Sequence, residues 1–147
     1  RGTMPTLLET KVETRRYIFP GQSNAIETAH GGDLLKWMEQ VGAMSAMRFA
    51  GADTVTVGVD DVQFHRPIPT GSIALLDAYV YEAGESSVTA RVRGYDEDRH
   101  TGERDLATEA VSVSVAVDDD GDTVTVPDLA VDTDEGERLY EAALAEG

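Results

Sequence analysis

Glu39 is the residue of this sequence whose type and surroundings best suit catalysis. It is the one carboxylate between residues 34 and 50, where most other side chains are apolar. Apolar surroundings disfavour the charged form of a carboxylate, and a carboxylate held in this way can take a proton from water as a general base. Two other interpretations stay open at this point: an ion pair with Lys36, three residues earlier, or a position that faces solvent.

A second chemical feature precedes Glu39, at His30-Gly31-Gly32. Paired glycines let a ligand approach the backbone closely, and the first amides of a helix have no partner within the helix. Such amides can stabilise the negative charge that develops on a carbonyl oxygen. The glycines also suit a tight entry of the loop into the helix. In that loop, Asn24 and Thr28 could orient a water molecule or a carbonyl group, or cap the loop.

The distance between these two features predicts an oligomer. Glu39 follows Gly32 by seven residues, which is about 10 Å along a helix axis at 1.5 Å per residue. One substrate carbonyl cannot contact both groups from a single chain. A symmetric dimer solves this if the helix start of one subunit faces Glu39 of the other. We therefore expect the site to form between two copies of the chain.

The composition and spacing exclude several other chemistries. The chain has no cysteine, which removes disulfides, thiolate metal ligands and cysteine nucleophiles. The histidines, His30, His65 and His100, lack the spacing of a zinc site. Ser86-Ser87 lacks the glycine-flanked nucleophile motif of serine hydrolases, and no phosphate-binding glycine loop is present. We expect no metal ion and no cofactor.

The net charge narrows the partners and the habitat. Acidic residues number 28 against 12 basic ones, which gives a net charge of −16, and two of the basic residues are lysines. A surface this negative repels phosphate backbones, so we expect no nucleic-acid partner. Molar salt screens the repulsion between these charges, and the composition therefore indicates adaptation to a salty cytosol. An acidic surface for a partner is the alternative.

The apolar segments and the start of the chain favour a cytoplasmic protein. No run of about 18 apolar residues is present that could span a membrane, so we expect no membrane partner. The first residues lack the basic-then-apolar layout of a signal peptide. Arg1-Gly2-Thr3 precede Met4, and we interpret them as an addition before the natural start.

The elements that must position these residues form a single α+β domain over residues 1–147. A helix is predicted from residue 31 to Gly51, apolar nearly all round, which predicts burial on nearly all sides. Strands are predicted at residues 10–18, 54–64, 72–83, 87–95 and 106–117, and a short helix at 133–145 with Thr133 or Asp134 as its cap. We therefore expect an antiparallel sheet wrapped around one long central helix.

Short motifs along the chain carry a family resemblance. They are Phe-Pro-Gly-Gln-Ser-Asn at residues 19–24, His-Gly-Gly at 30–32, Leu-Lys-Trp-Met-Glu at 35–39, Val-Thr-Val-Gly-Val-Asp-Asp-Val-Gln-Phe at 55–64, Arg-Pro-Ile at 66–68 and Gly-Glu-Ser-Ser at 84–87. With these motifs in one order, the chain resembles the hot-dog-fold acyl-CoA thioesterases from residue 8 to residue 140. The resemblance implies a sheet wrapped around a central helix, and hydrolysis of acyl-CoA to a free fatty acid and CoA.

The resemblance also implies roles for particular residues. An acidic residue on the central helix activates water, and that position is Glu39, where the family usually has Asp. A polar residue near the helix start, often Asn or Asp, falls on Thr28, and the preceding small residue, often Gly, is Glu27. These departures bear on the rate and the substrate preference more than on the class of reaction.

The expected CoA site also follows from the resemblance. CoA carries several phosphate charges, so an acidic enzyme needs local arginines, whose paired donors fit phosphate oxygens. The candidates are Arg66 first, then Arg48 and Arg91, with Ser86 and Ser87 in a turn that the family places near CoA. Surface ion pairs with the abundant acids are the alternative role for the arginines.

The acyl chain and the assembly complete this expectation. The chain would enter beside the helix, along Met38, Met44 or Trp37, although a core role suits these three equally. The assembly would be a homodimer or a trimer of dimers.

Two other functions stay open. Hydratases and dehydratases on the same fold act on hydroxyacyl thioesters with a His and a carboxylate from the partner subunit, which His30 and Glu39 could imitate. A non-catalytic acyl-CoA-binding or sensing module would tolerate Glu39→Gln, which keeps the size of the side chain and removes the base.

Overall fold

The computed structural model describes residues 4–146. In chain order it contains β1 (Val12–Tyr17), α1 (Gly31–Ala50), β2 (Asp53–Phe64), β3 (Ile73–Ala83), β4 (Ser87–Glu97), β5 (Arg104–Val117) and α2 (Asp134–Glu146). The predicted order of elements is confirmed, and every bound lies within two residues of its expected position. Arg1, Gly2 and Thr3, interpreted above as an addition, lie outside the described residues.

The strands form one antiparallel sheet in the order β1-β3-β4-β5-β2. β3, β4 and β5 are consecutive in the chain and pair as hairpins. β1 and β2 flank α1 in sequence but lie at opposite edges of the sheet. The helix between them must therefore cross the sheet, and it contacts all five strands. The expected α+β fold, a sheet around one long helix, is confirmed.

The ends of α1 follow from local sequence. Gly51 ends the helix in the left-handed conformation, at φ 65°, and its amide donates to the Met47 carbonyl at 2.9 Å. Glycine adopts this conformation without a steric penalty. Asp33 lies in the first turn and Arg48 in the last, where each charge opposes the nearer end of the helix dipole.

α1 buries one face, and the prediction of burial on nearly all sides is wrong for the single chain. Lys36, Met44 and Arg48 form an exposed stripe that follows the helical repeat. A five-stranded sheet covers one side of a helix, so the apolar residues outside that side stay open. The buried residues are Leu34, Met38, Val41, Gly42, Ser45, Ala46 and Phe49. Neither helix among the described residues has the length and apolar character of a membrane-spanning segment.

Small residues let α1 approach the sheet closely. A Cβ atom on Gly42 would lie 3.1 Å from the Cβ and Oγ atoms of Ser112 and 3.2 Å from Val92. These contacts are tighter than ordinary van der Waals distances, so the position favours glycine. The close approach places the middle of α1, one turn beyond Glu39, directly on β4 and β5.

The opposite face of the sheet is partly covered by α2. Leu7, Tyr79, Tyr81 and Ala143 form a buried cluster between this helix and the sheet, and the Tyr79 hydroxyl donates to a carbonyl of α2 at 2.7 Å. The Thr133 hydroxyl accepts a hydrogen bond from an amide of the first turn of α2 at 2.9 Å. This confirms Thr133 as the cap of the helix.

Candidate active site

Glu39 lies on α1 against the edge strand β2. The Thr56 hydroxyl donates to Glu39 Oε2 at 2.8 Å, and Oε1 accepts no hydrogen bond among residues 4–146. Glu39 is partly buried and is not paired with Lys36 in the described part of the chain, so the ion-pair interpretation is not supported. The structure therefore holds one oxygen of this carboxylate and leaves the other open.

Thr56 was missed in the sequence. The signal was present, because β2 alternates Thr54 and Thr56 with Val55 and Val57. Alternation separates the two faces of a strand but does not say which face meets the helix. The usual rule would turn the valines inward, yet Val55 and Val57 are 52% and 61% exposed.

The loop before α1 is organised by Asn24. Its Oδ1 accepts the amides of Ile26 and Thr28 at 3.1 and 3.0 Å, and its Nδ2 donates to the Thr28 hydroxyl at 2.8 Å. The structure thus brings Asn24 and Thr28 together and gives Asn24 a loop-capping role. Between them Glu27 adopts φ 61°, a left-handed conformation that costs a residue with a Cβ atom about 1–2 kcal/mol.

The start of α1 is open to a ligand. His30 is the N-cap, and its side chain forms no capping hydrogen bond. The first hydrogen bond of the helix runs from the Leu34 amide to the His30 carbonyl at 3.0 Å, so the amides of the first turn lack helical acceptors. Gly31 and Gly32 are exposed. These amides can stabilise a developing oxyanion.

Glu39 and the glycines stay apart within one chain. Seven residues of continuous helix separate Gly32 from Glu39, about 10 Å along the axis. His30 lines an open cavity of about 540 Å³ together with Asp33, Trp37 and residues of β1, and Glu39 does not line it. A single chain therefore contains both parts of the expected site, Glu39 and the start of α1, but does not bring them together.

Arg66 lies in the loop that follows β2, at the end of the sheet where α1 begins. Its Nη2 and Nη1 atoms lie 3.2 Å from Asp96 and 3.2 Å from Asp105, and its side chain is 46% exposed. Two carboxylates hold the guanidinium at the surface, where part of it remains accessible to a phosphate.

Arg91 lies on the face of the sheet opposite α1, so the structure does not bring it to Glu39. Its Nη2 donates to Glu109 Oε1 at 3.0 Å, and the other carboxylate oxygen lies 2.8 Å from His65 Nε2. Burial by itself would raise the pKa of Glu109, but the hydrogen bonds from His65 and Arg91 outweigh it and lower this pKa. The expectation that Arg91 binds CoA is not supported, because its charge is buried and already paired.

The remaining candidates are spread along the molecule. Arg48 is exposed and donates to the Lys11 carbonyl at 3.3 Å. Ser86 and Ser87 lie at the turn between β3 and β4, near the end of α1, whereas Arg66 lies near its start. One CoA molecule would reach both sets only by spanning the length of the helix or by joining two chains.

The three residues expected beside the acyl chain have different environments. Met38 is fully buried and belongs to the core cluster under α1. Trp37 is half-buried, and the Arg16 guanidinium lies 5.5 Å from the centre of its ring. Met44 lies on the exposed stripe of the helix. The structure therefore assigns Met38 to the core.

One long helix packed on a five-stranded antiparallel sheet defines the hot-dog fold, and solved structures share it along the chain. An acyl-CoA hydrolase from Staphylococcus aureus, in complex with butyryl-CoA and CoA, superposes with a TM-score of 0.88 at 33% identity, covering 98% of this chain and 88% of its own. A hexameric thioesterase from Yersinia pestis superposes with a TM-score of 0.72 at 33% identity. The superposition covers 78% of this chain and 94% of the Yersinia chain.

Sequence comparisons agree with the fold. An acyl-CoA thioester hydrolase of Bacillus subtilis, YkhA, itself uncharacterized, is 34% identical over 92% of this chain and 79% of its own length. The YciA hydrolase of Salmonella typhimurium is 30% identical, over 85% of this chain and 96% of its own length. The chain belongs to the thioesterase superfamily, whose sequence pattern matches residues 27–103. The resemblance seen in the motifs is confirmed.

Proposed function

We propose that this chain is an acyl-CoA thioesterase that hydrolyses fatty acyl-CoA to the free acid and CoA, with Glu39 as its base. The hydrogen bond of 2.8 Å from Thr56 to Glu39 Oε2 carries the proposal. It fixes the carboxylate on α1 while Oε1 stays available to a water molecule. The proposed reaction uses side-chain and backbone groups of the protein together with water, and no cofactor.

The proposed mechanism follows from this geometry. Glu39 takes a proton from water, and the oxygen of that water attacks the thioester carbonyl carbon. The first amides of α1, at Gly31 and Gly32, stabilise the oxyanion that forms. The carbon–sulfur bond then breaks, and the CoA sulfur leaves with the proton that Glu39 held. Direct attack by Glu39, followed by hydrolysis of the mixed anhydride, needs the same residue in the same place.

Related structures support the roles of Glu39 and Thr56. Three variants of the Staphylococcus aureus hydrolase replace an Asn, an Asp or a Thr by Ala. The replaced positions of that enzyme are spaced as Asn24, Glu39 and Thr56 are spaced here. By analogy, Asn24 uses its second Nδ2 proton to orient water or the carbonyl, beside the Thr28 hydroxyl.

We propose that the site is completed by a second copy of the chain. β2 is an edge strand with β5 on one side, and its exposed valines suit burial in an interface. A homodimer along this edge would set the start of α1 from one subunit, with His30, near Glu39 of the other. The relatives from Yersinia pestis and the enzyme HI0827 are hexameric, which fits three such dimers.

For CoA, we propose Arg66 as the first phosphate ligand. Its guanidinium is partly exposed near the start of α1, and the two aspartates beside it hold its orientation. Ser86, Ser87 and Arg48 remain candidates from the other end of the helix, contributed to the same CoA by the partner chain. The acyl chain would pass Trp37 and Met44, whose side chains are partly exposed.

The test is the release of free thiol from acyl-CoAs of different chain length, in molar KCl. We expect turnover by the wild type and a loss of about 10²-fold or more in Glu39→Gln, because a general base contributes roughly that factor. Lys36→Gln is the matched control, since it removes a charge one turn earlier on the exposed face of the same helix.

Two outcomes would overturn the proposal. If the wild type binds acyl-CoA and releases no thiol, the chain is a binding module, or it acts on hydroxyacyl thioesters through His30 and Glu39. If thiol is released equally by Glu39→Gln and the wild type, another group is the base.

A further inference from the structure

Hydroxyl groups line the interface between α1 and the two strands nearest Glu39. Thr54 and Thr56 lie on β2, and Ser112 and Ser114 lie on β5. Ser112 and Ser114 are almost fully buried. The oxygens of Thr54, Ser112 and Ser114 are buried without a hydrogen-bond partner in the described part of the chain, whereas Thr56 donates to Glu39.

Unpaired hydroxyls in such a place need a reason. Leaving a buried donor without an acceptor is unfavourable, and alanine would fill nearly the same volume without that penalty. Alanine is in fact used at the adjoining inward positions of β5, at Ala110 and Ala116. A hydroxyl in this row is therefore expected to have a partner in the working enzyme.

The hydroxyl-bearing residue directly opposite Ser114 is Thr56. Ser114 of β5 pairs with Thr56 of β2 in the antiparallel register, so both side chains lie on the face that packs against α1. The Cβ atoms of directly opposed residues lie about 4.5–5.5 Å apart. At that separation, rotation of Ser114 about its Cα–Cβ bond can direct its hydroxyl towards the Thr56 oxygen.

The count of protons fixes the direction of this contact. Thr56 has one hydroxyl proton, and it donates that proton to Glu39. Its oxygen keeps two lone pairs and can still accept. Ser114 has a proton and no acceptor among the described residues. The arrangement that satisfies both hydroxyls is a chain of hydrogen bonds, here called the relay, in which Ser114 donates to Thr56 and Thr56 donates to Glu39.

We propose that Ser114 is a positioning residue for thioester hydrolysis, whose hydroxyl donates to Thr56 and so keeps Thr56 donating to Glu39. The inference rests on the proposed function. When Ser114 donates to the Thr56 oxygen, the Thr56 proton must point to a different group, and Glu39 is the acceptor that it reaches. Successive hydrogen bonds also strengthen one another, so Ser114 strengthens the hydrogen bond from Thr56 to Glu39 without touching the substrate.

The test combines Ser114→Ala with Thr56→Val. In the wild-type background, we expect Ser114→Ala to lower kcat roughly three- to tenfold, the factor that one neutral hydrogen bond is worth. KM should stay unchanged, and the acidic limb of the pH–rate profile should move to higher pH. In the Thr56→Val background, Ser114→Ala should change kcat less than about twofold, because the relay is already broken.

Ser112→Ala is the matched control. Ser112 is buried and unpartnered like Ser114, but it pairs with Val59 and not with Thr56. Its replacement should leave kcat and the pH profile as they are. Equal effects of Ser114→Ala and Ser112→Ala, or an equal effect of Ser114→Ala with and without Thr56, would overturn the relay.

A second measurement separates this inference from the proposed function. The hydroxyl proton of Thr56 can be followed by NMR in the absence of any substrate. Ser114→Ala should speed the exchange of that proton with water, because Thr56 loses its fixed orientation, and Ser112→Ala should not. An inactive wild type would refute the thioesterase proposal, and the NMR result would still decide for or against the relay.

Discussion

The buried pair of Asp77 and Arg93 allows a quantitative prediction for stability. Asp77 is 0% exposed, and its two oxygens accept from Arg93 Nε and Nη2 at 2.9 Å each. Burial by itself would lower the pKa of Arg93, but the hydrogen bond to Asp77 outweighs it and raises this pKa. Asp77→Asn keeps the shape of the side chain and removes the negative charge, which leaves a buried guanidinium without its counter-ion.

The expected loss follows from the burial of the pair. Removing one partner of a buried ion pair costs about 3–5 kcal/mol. Arg93 retains favourable contacts with the rings of Tyr79 and Tyr95, 5.4 and 5.6 Å from their centres, so the lower end applies, about 3 kcal/mol. With a urea m-value of about 2 kcal/mol/M, the unfolding midpoint should fall by about 1.5 M.

The assay is urea unfolding followed by circular dichroism, at one fixed protein concentration. Glu135→Gln provides the comparison, because it removes the counter-ion of Arg138 in a pair whose side chains are 51% and 69% exposed. An exposed pair is worth about 1 kcal/mol or less, so this midpoint should fall by about 0.5 M or less. Equal shifts for the two variants would refute the reasoning.

Two further predictions concern the loop before α1 and the surface charge. Glu27→Gly should stabilise the fold by about 0.5–1 kcal/mol, because glycine relieves the strain of φ 61°. Part of that gain is lost because glycine has a higher conformational entropy in the unfolded chain. A lower melting temperature of the variant would contradict this prediction. Raising KCl from 0.1 to 1 M should raise the melting temperature, because it screens the repulsion of a net charge of −16. A flat response would argue against halophilic adaptation.

Much of the fold could be predicted because its signals are local. Gly51 stops α1, Thr133 caps α2, and Gly84 lies in the turn between β3 and β4. Each signal fixes a boundary through the conformation of a few neighbouring residues. The alternation along β4 also indicates which side chains face the helix. It places Arg91 and Arg93 on the face away from the helix, opposite to Val88, Ala90 and Val92.

The candidate site was less predictable because it depends on contacts between distant residues. Glu39 was found from its apolar neighbours, whereas its hydrogen bond comes from Thr56, 17 residues away. The inward threonines and outward valines of β2 reverse the usual hydrophobic pattern. Burial within one chain favours the opposite orientation, with the valines inward. The observed orientation suits an edge strand whose outward valines are available for contact with another molecule.

The position of Thr56 on an edge strand has a consequence for how this protein can change over generations. In the proposed dimer, a substitution that alters how the partner chain aligns along β2 also acts on the strand whose Thr56 hydroxyl holds Glu39. In that dimer, a substitution on β2 that changes the assembly therefore also changes the rate of turnover. Variants with a new quaternary arrangement would have to be selected for both properties at once.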